Sequence, residues 1–235
     1  MPSHHYLPPM SSNLDDVEAH LDSHGWAVYT DAGVVRRGKL DDEATTELCA
    51  RFGEPSSRDG GATLWPVRPR SSDPTQTFSQ RAGEAGLHTD AAYRDEPEAR
   101  FALFCIRPAA DGGLTRLLAA AHVELGLDPS LARRLRVPQW RWEVPEVFGG
   151  GLSGRYRVLD DDGSIRWRTD NLVIPADLQA TAVAFADHLE THRMLVQLLL
   201  PVDGVLVCDN RRVLHGRTTF ADRRRWLVRV RLAQR

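Results

Sequence analysis

The chain closes on RRRWLVRVRLAQ, and this segment narrows the possible folds more than any other. Trp226, Val228 and Val230 alternate with Leu227, Arg229 and Arg231. A period of two puts one set on each face of a strand, whereas a helix would scatter both sets around its axis. Repeated arginine on one face of an otherwise apolar strand also asks for something anionic to meet it.

The rest of the chain has a compatible texture. RFALFCIRP, GGLTRLL, MLVQLLL and GVLVCDN read as strands, and QWRWEV, RYRVLD and IRWRT are short alternating segments. Turn residues join them, including the hairpin signal Asp162-Gly163. Helices are few. NLDDVEAHLDSHG is a capped amphipathic helix ended near Gly25, and DDEATTELCARFGEP is a second, stopped by Gly53 and Pro55. DPSLARRL is a short helix and DLQATAVAFADHLETH a longer one. Residues 54–87 are rich in Gly, Pro, Ser and Arg without periodicity, which predicts a long ordered loop of functional weight. The expected fold is mainly β with flanking helices: a barrel or jelly roll carrying helices on its outside. Residues 1–12 are expected to be a flexible tail and 13–235 a single domain.

Composition excludes several function classes. A formal charge of −2 leaves no basic excess to neutralise phosphates, which argues against a nucleic-acid binder. Lys39 is the sole lysine, so anion-binding positions must use arginine. Cys49, Cys105 and Cys208 are widely spaced and odd in number, and read as buried small hydrophobes in a reducing compartment. No stretch approaches the ~18–20 apolar residues of a membrane helix. The start, MPSHHYLPPMSSN, lacks the apolar core of a secretory signal, so the expected location is the cytoplasm.

The chemistry-bearing stretch is GEAGLHTDAAYRDEPE, centred on His88-Thr89-Asp90. Alone, a His-x-Asp fits a polar turn as well as a metal site. VLVCDNRRVLHGRTTF adds His215 just after an apolar strand, late in the chain. Two histidines and one carboxylate form the facial arrangement that holds ferrous iron and leaves positions open. Arg225 and Arg229 follow, four residues apart and therefore expected on one face of the closing strand. An arginine beside the distal histidine suits the far carboxylate of a dicarboxylate chelated to the metal. Thr115 in GGLTRLL offers a hydroxyl to the same carboxylate; a β-branched strand residue is its plainer reading.

Taken in order, LHTD, GGLT, DNRRVLHGRTTF and RRRWLVRVRL resemble the taurine dioxygenase and clavaminate synthase-like superfamily of Fe(II)/2-oxoglutarate-dependent oxygenases. The resemblance covers roughly residues 76–120 and 203–232. It implies a double-stranded β-helix core and assigns His88, Asp90 and His215 to iron. It assigns Arg225 to the C5 carboxylate of 2-oxoglutarate, with Thr115 hydrogen-bonded to it. For Arg229 it leaves two roles open, cosubstrate contact or a substrate anion. Dioxygen completes the cofactor set. Related halogenases put a small residue where Asp90 stands, so the resemblance implies hydroxylation. The implied partner is a small molecule, a free or carrier-tethered amino acid or a relative of one, in bacterial specialised metabolism.

The stretch TLWPVRPRSSDPTQTFSQ leads into the ligands and is the candidate substrate wall, with Trp65, Thr77, Phe78, Ser79 and Gln80 facing the pocket. Phe148 precedes three glycines, which fit a lid and an ordinary hairpin equally. Two other classes stay in view: different metal chemistry on a cupin-like barrel, and a non-catalytic metal-binding module. A cupin-like enzyme has no dicarboxylate for Arg225 to anchor, and a non-catalytic module would be expected to lack a ligand.

Overall fold

In the computed structural model, residues 9–57, 62–70 and 78–234 are described. The chain runs through β1 (Met10–Ser11), α1 (Leu14–His24), β2 (Trp26–Tyr29), β3 (Val35–Arg36), β4 (Lys39–Leu40), α2 (Asp42–Phe52), β5 (Glu54–Pro55) and β6 (Trp65–Val67). It continues through β7 (Ala85–His88), β8 (Arg100–Arg107), β9 (Thr115–Ala119), α3 (Ala120–Val123), α4 (Pro129–Leu135), β10 (Arg141–Trp142) and β11 (Leu172–Val173). It ends with α5 (Gln179–Glu190), β12 (Val196–Leu198), β13 (Val205–Asp209), β14 (Val213–Arg217) and β15 (Trp226–Ala233).

Two sheets organise these elements. The larger has the order β1-β2-β13-β8-β15-β5, with β6 also on β15. The smaller has the order β12-β9-β14-β7. Strand alternation divides the core into three layers. Phe101, Cys105, Leu206, Cys208 and Leu227 of the larger sheet meet Leu117, Leu198 and Val213 of the smaller one, filling the space between them. The opposite face of the larger sheet buries Phe104, Val207, Val228 and Val230 against α1 and α2, through Val17, Leu21, Cys49 and Phe52. The outer face of the smaller sheet packs Leu87, Leu118 and Leu214 against Phe185 and Leu189 of α5. Trp140, Trp142 and Trp167 fill this third layer, each fully buried, and truncating one to Ala is expected to cost about 3–5 kcal/mol.

The helix ends follow their capping residues. Asn13 Oδ1 accepts from the Asp15 N–H at 2.8 Å, and Gly25 ends α1 in the left-handed region at φ 80°. Asp41 caps α2 by accepting from Ala44 N. The three cysteines are free and buried, as their spacing predicted. No described helix is long and apolar enough to cross a membrane.

Three expectations need correction. Residues 10–11 are not part of a flexible tail, because Met10 and Ser11 pair in parallel with Val28 and Tyr29; residues 1–8 lie outside the description. The stretch 54–87 is not wholly loop, since it holds β5, β6, a 3-10 turn at Phe78–Gln80 and most of β7. Pro55 and Pro66 hid the first two strands, yet both pair only with β15 at the sheet edge, where a missing N–H is tolerated. His215 follows the apolar strand β13, as expected, and itself stands in the middle of β14. Arg225 precedes β15, and the register shifts between Trp226 and Leu227.

Candidate metal centre and cosubstrate pocket

Strand register creates the first half of the site. His215 is the direct antiparallel partner of His88, and their ring centroids lie 4.3 Å apart. Because Leu87 and Leu214 face the outer core, both histidines face the space between the sheets, where the His215 ring lies 4.5 Å from Phe101 of the opposite sheet. Gly216 permits this pairing. A Cβ there would sit 2.6 Å from the Ala85 carbonyl oxygen.

Asp90 lies beyond the end of β7 and is held by side chains. Thr89, between the two candidate ligands, donates its N–H to the Trp167 carbonyl at 2.7 Å and takes the Trp167 N–H on Oγ1 at 3.2 Å. Asn210 Oδ1 accepts from Asp90 N at 2.7 Å, while its amide donates to the carbonyls of Asp90 and Glu98. Ala91 then turns the chain at φ 56°, a strained angle for a residue with a Cβ. The result is a group of His88, Asp90 and His215 whose ligating atoms all lie within 4.8 Å of one another.

The protonation states fit a cation. His88 donates Nδ1–H to the Gly86 carbonyl at 2.8 Å, which leaves the Nε2 lone pair for a metal. Burial, followed by the charge of Arg168, lowers the His88 pKa to about 4. Burial, then His88, puts His215 well below its ordinary value. Burial alone would raise Asp90, but Arg229, then His215, outweigh it and hold the carboxyl below its usual range. All three groups are therefore in their ligating forms at neutral pH. This donor set, two imidazoles and a hard oxygen, suits ferrous iron with open positions.

Arg225 carries the second half of the site. It is 3% exposed, lies 5.0 Å from the Phe220 ring, and leaves Nη1 buried without a hydrogen-bond partner among the described residues. Burial pushes its pKa down to about 10, still far above neutrality, so it is a desolvated cation without a described counter-ion. A buried charge of this kind is costly unless an anion arrives. Arg225 lines one cavity with Thr115, His88, His215 and Arg229, so Arg225 and Arg229 share the same space despite the irregular register beside them. Arg229 is engaged by Asp90, with Nη1 3.0 Å from Oδ1.

The other predicted residues divide. Phe78 and Ser79 line this cavity, and the Phe78 ring lies 5.4 Å from His88. Trp65 stands behind them, donating Nε1–H to Ser79 Oγ at 3.0 Å. Gln80 is not part of the lining; its carbonyl accepts from Arg70 N. Phe148 packs on Tyr93 at 6.0 Å, away from the lining. Thr77 lies outside the described residues. A separate cavity of about 590 Å³ is lined by Trp26, Leu117 and Val196 among others, and no group of metal ligands lines it among the described residues.

Sequence reasoning missed the supporting residues. Arg217 spends Nε, Nη1 and Nη2 on the carbonyls of Gly83, Phe78 and Arg81, fixing the segment that covers His88. Its place two residues after His215, hence on the same strand face, was the available signal. Asn210 was visible only as a turn residue, and Arg168 had no sequence signal.

The sequence matches the family described as taurine catabolism dioxygenase TauD, TfdA family over residues 7–149 and 152–231. The chain belongs to that family, and so to the 2-oxoglutarate-dependent non-haem iron dioxygenases, whose cofactors are Fe(II), 2-oxoglutarate and O2. No curated protein matches. Among solved structures, asparagine oxygenase in complex with Fe(II), 2S,3S-3-hydroxyasparagine and succinate aligns with a TM-score of 0.76 at 20% identity, covering 93% of this chain and 78% of that one. The non-heme iron oxygenase OrfP in complex with Fe and alpha-ketoglutaric acid aligns with a TM-score of 0.72 at 19% identity, covering 96% and 80%. OrfP with Fe, succinate and (3S)-hydroxy-L-Arg gives 0.72 at 18%, covering 96% and 82%.

Proposed function

We propose that the chain hydroxylates an unactivated C–H bond of a free or carrier-tethered amino acid, or a related small molecule, using Fe(II), 2-oxoglutarate and O2. In this reading the two sheets are the halves of a double-stranded β-helix over residues 13–235, and the enzyme works in the cytoplasm in bacterial specialised metabolism. The observation that supports it is that His88 and His215 of the ligand group share one cavity with a buried Arg225, whose Nη1 has no hydrogen-bond partner among the described residues. A metal-binding module without a dicarboxylate has no use for that arginine, which disfavours the cupin-like alternative.

His88, Asp90 and His215 would hold the iron through Nε2 atoms and one carboxylate oxygen. Arg225 would take the far carboxylate of 2-oxoglutarate by a charge-assisted pair, with Thr115 on the same side. Bound iron would supply the oxidising chemistry with O2 as the oxidant: 2-oxoglutarate gives two electrons in becoming succinate and carbon dioxide, one oxygen atom enters succinate and the other the substrate C–H bond. The protein contributes position and a dry wall. Phe78 covers His88, and Arg217 keeps that cover in place. Asp90 occupies the position that a halide needs, which supports hydroxylation over halogenation. The solved neighbours carrying hydroxyasparagine and hydroxyarginine support an amino acid as substrate class.

The test is succinate formation from 2-oxoglutarate with a panel of amino acids. It should require Fe(II) and disappear in His88→Ala. Succinate production that persists in His88→Ala, or turnover without iron, would refute the assignment.

A further inference from the structure

β7 carries His88 and has a strand neighbour on one side only, because it ends the β12-β9-β14-β7 sheet. Backbone groups on its other side must find partners outside that sheet. One of them is the Leu87 N–H, which donates to Glu190 Oε1 at 3.4 Å. The same peptide group presents the Gly86 carbonyl, which accepts from His88 Nδ1 at 2.8 Å. Carboxylate, peptide and imidazole therefore form one row: Glu190, then the Gly86–Leu87 peptide, then His88.

Arg116 holds the far end of this row. It sits in β9 between Thr115 and Leu117, whose side chains face the space between the sheets, so its own side chain faces the α5 layer. Register places it opposite Gly216 in β14, and with no side chain there the guanidinium can cross β14 toward β7. Nη2 pairs with Glu190 Oε2, and Nη1 donates to Glu84 Oε1 at 3.0 Å. The Arg116 side chain is only 6% exposed, so this charge is held in place rather than solvated. Glu190 is the last residue of α5, which Phe185 and Leu189 anchor in the outer core. Its two oxygens are thus divided, one for Arg116 and one for the Leu87 N–H.

A carboxylate that accepts from one end of a peptide group makes the carbonyl at the other end a better acceptor. A stronger Gly86 acceptor favours the Nδ1–H tautomer of His88 and keeps the Nε2 lone pair for a metal. We propose that Glu190, fixed by Arg116, is a positioning residue for the iron ligand His88 and acts through the Gly86–Leu87 peptide. This role rests on the iron reading given above, and it adds the group that orients one of the three ligands.

Two measurements test it. The first needs no metal: heteronuclear NMR of the metal-free protein with isotope-labelled histidine, the His88 signal being the one missing in His88→Ala. The wild type should show the Nδ1–H tautomer at neutral pH, and Glu190→Ala a mixture of both neutral tautomers. The second is Fe(II) affinity without oxygen. Glu190→Ala should bind Fe(II) about tenfold more weakly, while half-saturation by 2-oxoglutarate at saturating Fe(II) stays within about twofold. Glu190→Gln keeps an acceptor for Leu87 and should stay within about threefold of wild type; Glu190→Asp keeps the charge but is a methylene short, and should fall with Glu190→Ala. Glu84→Gln removes a carboxylate from the same guanidinium but none from the Leu87 N–H, and should alter neither readout. A wild-type Fe(II) affinity or an unchanged His88 tautomer in Glu190→Ala would overturn the proposal. So would Glu190→Asp matching wild type while Glu190→Gln matched Glu190→Ala, because the ion pair alone would then be the useful contact. If the wild type binds no Fe(II), the iron reading has failed first, and the tautomer measurement still decides the link from Glu190 to His88.

Discussion

His215 and Asp90 serve one proposed site but are held by different means. His215 sits in mid-strand, and its place beside His88 is set by backbone pairing between β14 and β7. Asp90 sits past the strand end and is held by side chains: the Asn210 clamp, the Thr89 contact with Trp167, and the Arg229 ion pair. The strand-borne half is thus as rigid as the sheet. The loop-borne half depends on a few hydrogen bonds, each of which can be removed singly. The two halves should fail differently when damaged.

The largest expected effect comes from breaking the register. Gly216→Val forces a side chain onto the Ala85 and Gly86 carbonyls, which are backbone and cannot rotate away. We expect a loss of about 3 kcal/mol or more in denaturant unfolding, with iron binding lost as well. Wild-type stability in this variant would show that β7 moves freely, and that register does not fix the histidines.

Arg217→Met acts on the loop-borne cover. It strands three carbonyls but also removes a desolvated charge, whose pKa burial lowers to about 9. A net loss of about 2 kcal/mol is expected. Hydrogen exchange should rise in residues 78–83 and stay unchanged in β14 and β15. Uniformly raised exchange would mean that the two halves are not separable.

Acid should weaken the metal-free protein through the strand-borne half. His88 titrates near 4 when folded and near 6.5 when unfolded, so between these values the unfolded chain binds more protons and stability falls as pH falls. The expected loss is about 2 kcal/mol at pH 5 from His88 alone. His215 shifts in the same direction and adds to it. Excess Fe(II) should offset this loss by mass action. A flat profile from pH 7 to pH 5 would contradict buried, neutral histidines.

The smallest effect is expected at Thr89→Val, which keeps the β-branched shape and removes the hydroxyl that takes the Trp167 N–H. About 1 kcal/mol should be lost, with a few-fold weaker iron affinity. An effect larger than that of Arg217→Met would place the main support of Asp90 at Thr89 rather than at Asn210.

Much of this arrangement was legible in the sequence, for physical reasons. The alternation of Leu227, Arg229 and Arg231 with Val228 and Val230 forecast which face of β15 meets the helices and which meets the site. Capping residues forecast α1 and α2 closely. The His88, Asp90 and His215 group was legible because coordination chemistry demands particular residue types. What stayed hidden depends on long-range geometry. β5 and β6 carry prolines that local rules read as loop, and only the edge position beside β15 makes them strands. The irregularity beside Arg225, where Trp226 pairs with Arg107 and β8 carries Ile106 as the extra residue, has no local mark. Asn210 and Arg217 bond to backbone distant in sequence, and Arg168 lies over the Phe78 ring of a distant segment; spacing does not reveal such contacts.

The central claim is that His88, Asp90 and His215 hold iron while Arg225 anchors 2-oxoglutarate beside it. Anaerobic titration of the purified protein with Fe(II) and then 2-oxoglutarate, followed by visible absorption, tests it most directly. The account predicts a keto-acid band in the wild type, its loss in His215→Ala, and a band in Arg225→Ala that needs at least about tenfold more 2-oxoglutarate. Iron binding without any band, or an Arg225→Ala variant with wild-type half-saturation, would contradict it.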